Sequence, residues 1–272
     1  MPVSKLKNLI LLILLLCNLA LLCLLVPRKL EQRQEAQQLY NSLSTLCQTQ
    51  NVRLDPERIP QTITLYSLEL AEQTLAEYDA LQALADKEIT YADGTVEASG
   101  VQLGHWNNGT LKLKLSDQKP VSNLRRAAKK ELDRMSFQYD QVPQPERRSP
   151  GTYTLRAGQT ILGVPVFSRG LTLTYLNSCL TEVSGDYFAG TLTKTGNRAC
   201  MSASDAIVSF LSARVDLGWV GSSVTAVEQG YLPSVSSGSV RLNPVWKLTT
   251  DTGSFYVNGI TAEVSAAEDA AS

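Results

Sequence analysis

Histidine is almost missing from this chain, and so is any surplus of charge. His105 stands alone, and 25 Lys and Arg nearly balance 26 Asp and Glu for a net charge of -1. A catalytic base needs an oriented partner and a nearby nucleophile. The Gly104-His105-Trp106-Asn107-Asn108 stretch supplies neither in its pattern, so His105 reads as a surface or structural side chain. A near-neutral chain lacks the electrostatic footprint of a nucleic-acid binder. Closely spaced cysteines are missing as well. Cys17 and Cys23 fall in an apolar N-terminal run, and the wide spacing of Cys47, Cys179 and Cys200 excludes a compact zinc knuckle. Cys179 and Cys200 can pair if the domain faces an oxidising space, although buried or idle thiols are the simpler reading. No metal or cofactor is implied.

What is present starts at the N-terminus. Residues 9–26 are Leu-rich and uncharged, interrupted mainly by Asn18. A helix over them is roughly 27 Å long, close to the ~30 Å hydrocarbon core of a bilayer. Each Leu, Ile or Val near the bilayer centre favours insertion by roughly 0.3–0.6 kcal/mol, so one Asn does not reverse the sum. A cleaved signal peptide needs small residues at its cleavage site. Here the run ends Leu22-Cys23-Leu24-Leu25-Val26-Pro27, with large side chains instead. We therefore expect a retained transmembrane helix over 9–26 behind a short tail over 1–8. Lys5 and Lys7 on one side and Arg28, Lys29 and Arg33 on the other leave its orientation tied.

Beyond the anchor the pattern is α+β. A helix is expected over 30–50, where Leu39, Leu43 and Leu46 recur at helical spacing. A short strand is expected at 63–66 and a helix over 68–85, with Leu70, Leu75, Tyr78, Leu81 and Leu84 on one face. Residues 89–115 read as hairpins, with Leu111, Leu113 and Leu115 alternating with Lys112 and Lys114. A boundary at 116–120 divides a subdomain over 27–118 from one over 119–264. The second opens with an amphipathic helix over 121–137, then a Pro-rich linker over 141–150. Strands follow near 153–156, 161–167, 171–175 and 180–184. Ser202 or Ser204 can cap a helix through Ile207, Phe210 and Leu211. Further strands fall at 222–231, 240–249 and 254–257, and the small acidic tail over 265–272 is expected to be disordered.

Fragments of catalytic motifs occur without their context. Ser116-Asp117-Gln118-Lys119 fits Ser-x-x-Lys and Lys194-Thr195-Gly196 fits Lys-Thr-Gly of penicillin-recognising enzymes. Pro120 disfavours the helical turn that would bring Lys119 to Ser116, no Ser-Asp-Asn element lies between, and the Lys194 segment looks like a turn. Glu182 and Asp186 carry no mark that separates them from solvated carboxylates. Asn108-Gly109-Thr110 is formally a glycosylation acceptor. Arg125, Arg126, Lys129, Lys130 and Arg134 form a basic stripe, diluted by Glu131 and Asp133, that reads either as a solvated face or as a docking surface for anionic headgroups or an acidic partner. Asn18, at mid-membrane, can hydrogen-bond across a helix interface, worth about 0.6–2 kcal/mol.

The C-terminal third carries an ordered series: Val227-Glu228-Gln229-Gly230-Tyr231-Leu232, then Asn243-Pro244-Val245-Trp246-Lys247, then Phe255-Tyr256-Val257-Asn258-Gly259. It resembles the end of the YycI family, regulators of the WalK-type two-component system of low-GC Gram-positive bacteria. Gly163-Val164-Pro165-Val166-Phe167, Leu65-Tyr66-Ser67-Leu68-Glu69 and Ser4-Lys5-Leu6-Lys7 resemble earlier parts of that family, so the likeness spans nearly the whole chain. The family's Asp-Trp after the initiator is replaced by Pro2-Val3. The related YycH family shares the PepSY-like end; the shorter chain favours YycI. The resemblance implies PepSY-like units over 119–264, a cytoplasmic 1–8 and an extracytoplasmic domain. It implies a non-enzymatic regulator in the lipid bilayer whose partners are a WalK-type sensor histidine kinase, which it restrains, and a YycH-like companion. Cys17, Asn18 and Ala20 are then the natural contact face in the membrane. The competing expectation is an extracytoplasmic module that binds a peptide or cell-wall ligand.

Overall fold

A computed structural model describes residues 43–55, 59–71, 73–85, 89–107, 109–116, 118–236 and 239–267, together with residues 13, 14 and 17. In chain order the elements are α1 (43–49), β1 (Arg53–Leu54), β2 (Leu68–Ala71), α2 (Gln73–Ala85), β3 (Thr90–Ala92), β4 (Thr95–Glu97), β5 (Val101–Asn107) and β6 (Thr110–Leu115). They continue with α3 (Leu124–Arg134), β7 (Glu146–Ser149), β8 (Thr152–Ile161), β9 (Val164–Leu176), β10 (Cys179–Asp186) and β11 (Thr191–Lys194). Last come α4 (Ala203–Ser212), β12 (Ser223–Ser236), β13 (Ser239–Thr250), β14 (Gly253–Asn258) and β15 (Val264–Ala266). This is the α+β class expected, with strands dominating.

The strands join one mixed sheet of order β11-β2-β13-β12-β9-β10-β6-β5-β4-β3, with β7 and β8 flanking β9, β14 and β15 flanking β13, and β1 on β12. The β1–β12 and β9–β12 pairs are parallel; the other strand pairs among the described residues are antiparallel. Alternation makes one face apolar. In β6, Leu111, Leu113 and Leu115 are buried while Lys112 and Lys114 face out.

Two cores form on this sheet. The first gathers α2, α3, β3 to β6 and β8 to β10, with Leu81, Trp106, Leu111, Leu132, Leu155, Leu171 and Val183 at its centre. The second gathers α1, β1, β2, α4 and β12 to β14, with Leu43, Cys47, Val52, Leu68, Phe210, Tyr231, Trp246 and Val257. The boundary between them does not coincide with 118/119. Residues 43–71 pack in the second core, because β2 is hydrogen-bonded between β11 and β13. The first unit is therefore an insertion between two paired strands, β2 and β11. The β8–β9 hairpin crosses back: Ile161, Val164 and Val166 at its tip lie in the second core, and Val166 registers with Tyr231 of β12. Gly230 permits that approach, since a Cβ there would stand 2.5 Å from the Pro165 carbonyl and 2.7 Å from the Phe167 ring.

Five further details differ from the sequence expectations. Residues 63–66 form no strand; instead the Gln229 side chain accepts from the Ile63 N–H at 2.7 Å and donates to its carbonyl at 2.8 Å, standing in for a strand partner. Residues 68–71, expected as helix, are β2, where Leu68 and Leu70 point inward. The linker over 141–150 contains β7, and Ser265 and Ala266 of the expected disordered tail pair with Tyr256 and Phe255. The Lys194 segment ends a strand, not a bare turn. The 9–26 span and its Asn18 and Ala20 lie outside the described residues, apart from Ile13, Leu14 and Cys17, which are helical and exposed. No helix among the described residues is long and apolar enough to cross a membrane.

Candidate functional site

The two units leave a cleft of about 440 Å³ where they meet. Its walls come from α2 (Ala76, Asp79, Ala80), the end of α3 (Arg134, Met135), the end of β8 (Gln159, Thr160, Ile161), β2 (Leu70) and the connection 187–192 that leads into β11. The cleft exists because that connection must pass from one core to the other. Gln159 holds it there: its buried amide donates to the Phe188 carbonyl at 2.7 Å and accepts from the Phe188 N–H at 3.2 Å. Tyr187 donates its hydroxyl to the Met135 carbonyl at 3.0 Å, and burial pushes that phenol up to about 12, so it remains a neutral donor. Phe188 is further covered by the Arg169 guanidinium, 4.4 Å from the ring centre and 3.4 Å from Asp186. Desolvation lowers the Arg169 pKa, with Asp186 opposing.

Chemically, the cleft combines apolar side chains with the polar ones of Asp79, Arg134, Ser136, Gln138 and Thr160. The Tyr187 phenol and the Gln159 amide are engaged in holding the fold. Among the described residues no group of three or more His, Cys, Asp or Glu is arranged to hold a metal ion.

Behind the cleft lies a buried acid that the sequence did not flag. Glu77 is 9% exposed on the inner face of α2, ahead of Ala80, Leu81 and Leu84. Tyr91 reaches both the Glu77 carboxyl at 2.9 Å and the Trp106 carbonyl at 3.0 Å. Desolvation raises the Glu77 pKa, and the Tyr91 hydrogen bond opposes it. The only sign in the sequence is spacing: Glu77, Ala80, Leu81 and Leu84 sit at i, i+3, i+4 and i+7.

The residues singled out from sequence are scattered. His105 is exposed on β5 opposite Lys112. Ser116 follows β6 in the first unit, whereas Lys194 ends β11 at the far edge of the sheet, so the two motif fragments do not converge. Glu182 sits opposite Lys114, and Asp186 accepts from Thr110 at 2.8 Å. Asn108 lies outside the described residues. Cys179 and Cys200 are free thiols, Cys200 buried in the second core and Cys179 at the β9–β10 turn. In the basic stripe, Lys129 pairs with Asp133 and Arg134 with Glu131, leaving Arg125, Arg126 and Lys130 exposed on the outer face of α3. Of the residues that carried the family resemblance, Tyr231, Trp246 and Val257 are core: all three are 0% exposed, and Tyr231 donates to the Tyr66 carbonyl at 3.2 Å.

The class defined by this geometry is a sheet-rich α+β protein of two interlocked units with a cleft at their seam. No family model matches the chain, and no curated protein matches it. Among solved structures, an uncharacterized protein from Eubacterium rectale ATCC 33656 aligns with a TM-score of 0.45 at 12% identity, over 78% of this chain and 87% of that one. The C-terminal domain of Bacillus megaterium YpeB aligns with a TM-score of 0.34 at 11% identity, over 74% of this chain and 99% of that one.

Proposed function

We propose that this chain is a membrane-anchored, non-enzymatic regulator that associates through its N-terminal helix with a WalK-type sensor histidine kinase and restrains it, its folded units lying outside the cytoplasm. The observation that carries the reading is mechanical. The chain leaving the apolar 9–26 run is built into the second core through Leu43, Cys47 and Val52, and β1 pairs with β12. Arg214 fastens the end of α1, donating to the Gln50 carbonyl at 2.7 Å and to the Gly221 carbonyl at 3.2 Å. Fastening α1 to the second core gives a change in the folded units a route toward the N-terminal segment, and a helix biases a kinase only by packing differently against its signalling states. The resemblance to YycI supports the same reading. So does the order α4, β12, β13, β14, a helix followed by three antiparallel strands, which fits a PepSY-like unit.

The test is co-purification of the full chain with a WalK-type kinase and a YycH-like companion, with kinase output measured in parallel. Asn18→Leu is expected to weaken the association and release the kinase. Unchanged co-purification and output would remove the membrane-helix contact through Cys17, Asn18 and Ala20.

A further inference from the structure

The antiparallel register of β2 and β11 fixes which main-chain groups of β11 face outward. The Thr195 N–H donates to the Ser67 carbonyl at 2.8 Å. Along the same register, Thr193 opposite Glu69 and Thr191 opposite Ala71 are the hydrogen-bonded pairs. Leu192 and Lys194 therefore aim their N–H and C=O groups away from β2. Nothing among the described residues pairs with that side, because β11 ends the strand order.

The side chains along this edge leave it open. Edge strands are commonly screened by lysine, yet the Lys194 ammonium sits 3.4 Å from the centre of the Tyr66 ring, drawn back over the neighbouring chain. Thr193 turns its hydroxyl to the Glu69 carbonyl at 3.2 Å, also toward β2. The edge is exposed at Thr193 and Lys194, while Leu192 packs against the second core. Its first residues, Thr191 and Leu192, also line the seam cleft beside Leu70, Ala76 and Ile161.

We propose that the free edge of β11 takes up an extended segment of a partner polypeptide as an added strand, with an aliphatic side chain of that segment seated in the seam cleft. The occupant follows from the spacing. Donor and acceptor repeat every second residue, about 6.6–6.8 Å apart, and an extended polypeptide presents the matching repeat. Main-chain pairing gives the affinity in this mode and the pocket gives the selectivity. The site depends on neither the anchor nor a kinase, so a null result with Asn18→Leu leaves it standing.

The experiment uses the full chain in nanodiscs and, as probe, a phage-displayed library of random linear peptides. Peptides with an aliphatic residue are expected to be enriched over empty nanodiscs. Leu192→Pro removes an outward N–H that no β2 group uses, and it is expected to weaken the enriched peptides by about tenfold or more. N-methylation of the enriched peptide at alternate residues is expected to abolish binding, and at the intervening residues to spare it. No enrichment, equal binding to a folded Leu192→Pro chain, or indifference to which alternate amides are methylated would each overturn the proposal. If Leu192→Pro does not fold, the methylation series on the unmodified chain decides alone.

Discussion

Glu77 faces the first core from the inner side of α2, and its burial has a readable pH signature. Because desolvation raises its pKa, the folded state holds the proton more tightly than the unfolded state. The stability this confers is fully present below the ordinary glutamate range and is lost as pH rises through the raised folded value. Glu77→Gln keeps the shape and removes the titration. Its melting temperature is expected to fall less than that of the parent between mildly acidic and neutral pH, and parallel melting curves across that interval check it. A second residue-scale outcome concerns Trp246, whose indole N–H donates to the Met201 carbonyl at 3.0 Å. Trp246→Phe strands that carbonyl and shrinks a fully buried side chain, for an expected loss of about 2–4 kcal/mol in chemical denaturation. At this scale the sequence placed His105 at the surface or in a structural role, and it is exposed on β5. Glu77 was invisible because polarity argues against burial, and only its tertiary neighbour Tyr91 compensates it.

Among the elements, the amphipathic ones announced themselves. α3 and α4 lie where apolar periodicity put them, and Asn123 and Ser202 cap them by accepting from Arg126 and Asp205. β2 and β11 did not, being four residues each and held by neighbours distant in sequence. Short strands owe their existence to pairing, which local pattern does not encode. The cleft was illegible for the same reason, since its walls come from segments that only this pairing brings together. The β8–β9 hairpin is the element that joins the units, and Gly230 is its point of closest contact. Gly230→Ala is expected to cost about 1–3 kcal/mol by crowding the Pro165 carbonyl and the Phe167 ring. It should also let the first unit open before the second, read as earlier amide exchange in β8 to β10 than in β12 to β14.

At the scale of the whole molecule, the cysteines described in the two units are free thiols. Cys47 and Cys200 are buried in the second, with thiol pKa values raised by desolvation, and Cys179 belongs to the turn of the first unit. A reducing agent is therefore expected to leave the melting temperature unchanged, and thiol titration of the unfolded chain with and without prior reduction should give the same count. The α+β class was legible from the sequence, while the division of the chain was not, because the composition shift at 116–120 marks a loop inside the inserted unit.

That insertion bears on how the chain is made. Thr193 and Glu69, bonded in the finished sheet, stand 124 positions apart. As the polypeptide emerges during synthesis, the segment carrying α1, β1 and β2 appears first but has no core to join until β12 to β14 arrive. The inserted unit is released in the interval with most of its own core, and its folding brings its two ends side by side. It thereby cancels most of the loop-closure entropy that pairing β2 with β11 would otherwise cost. The first unit thus acts as a clamp for the assembly of the second, and a lesion confined to the first core should lower the yield of both.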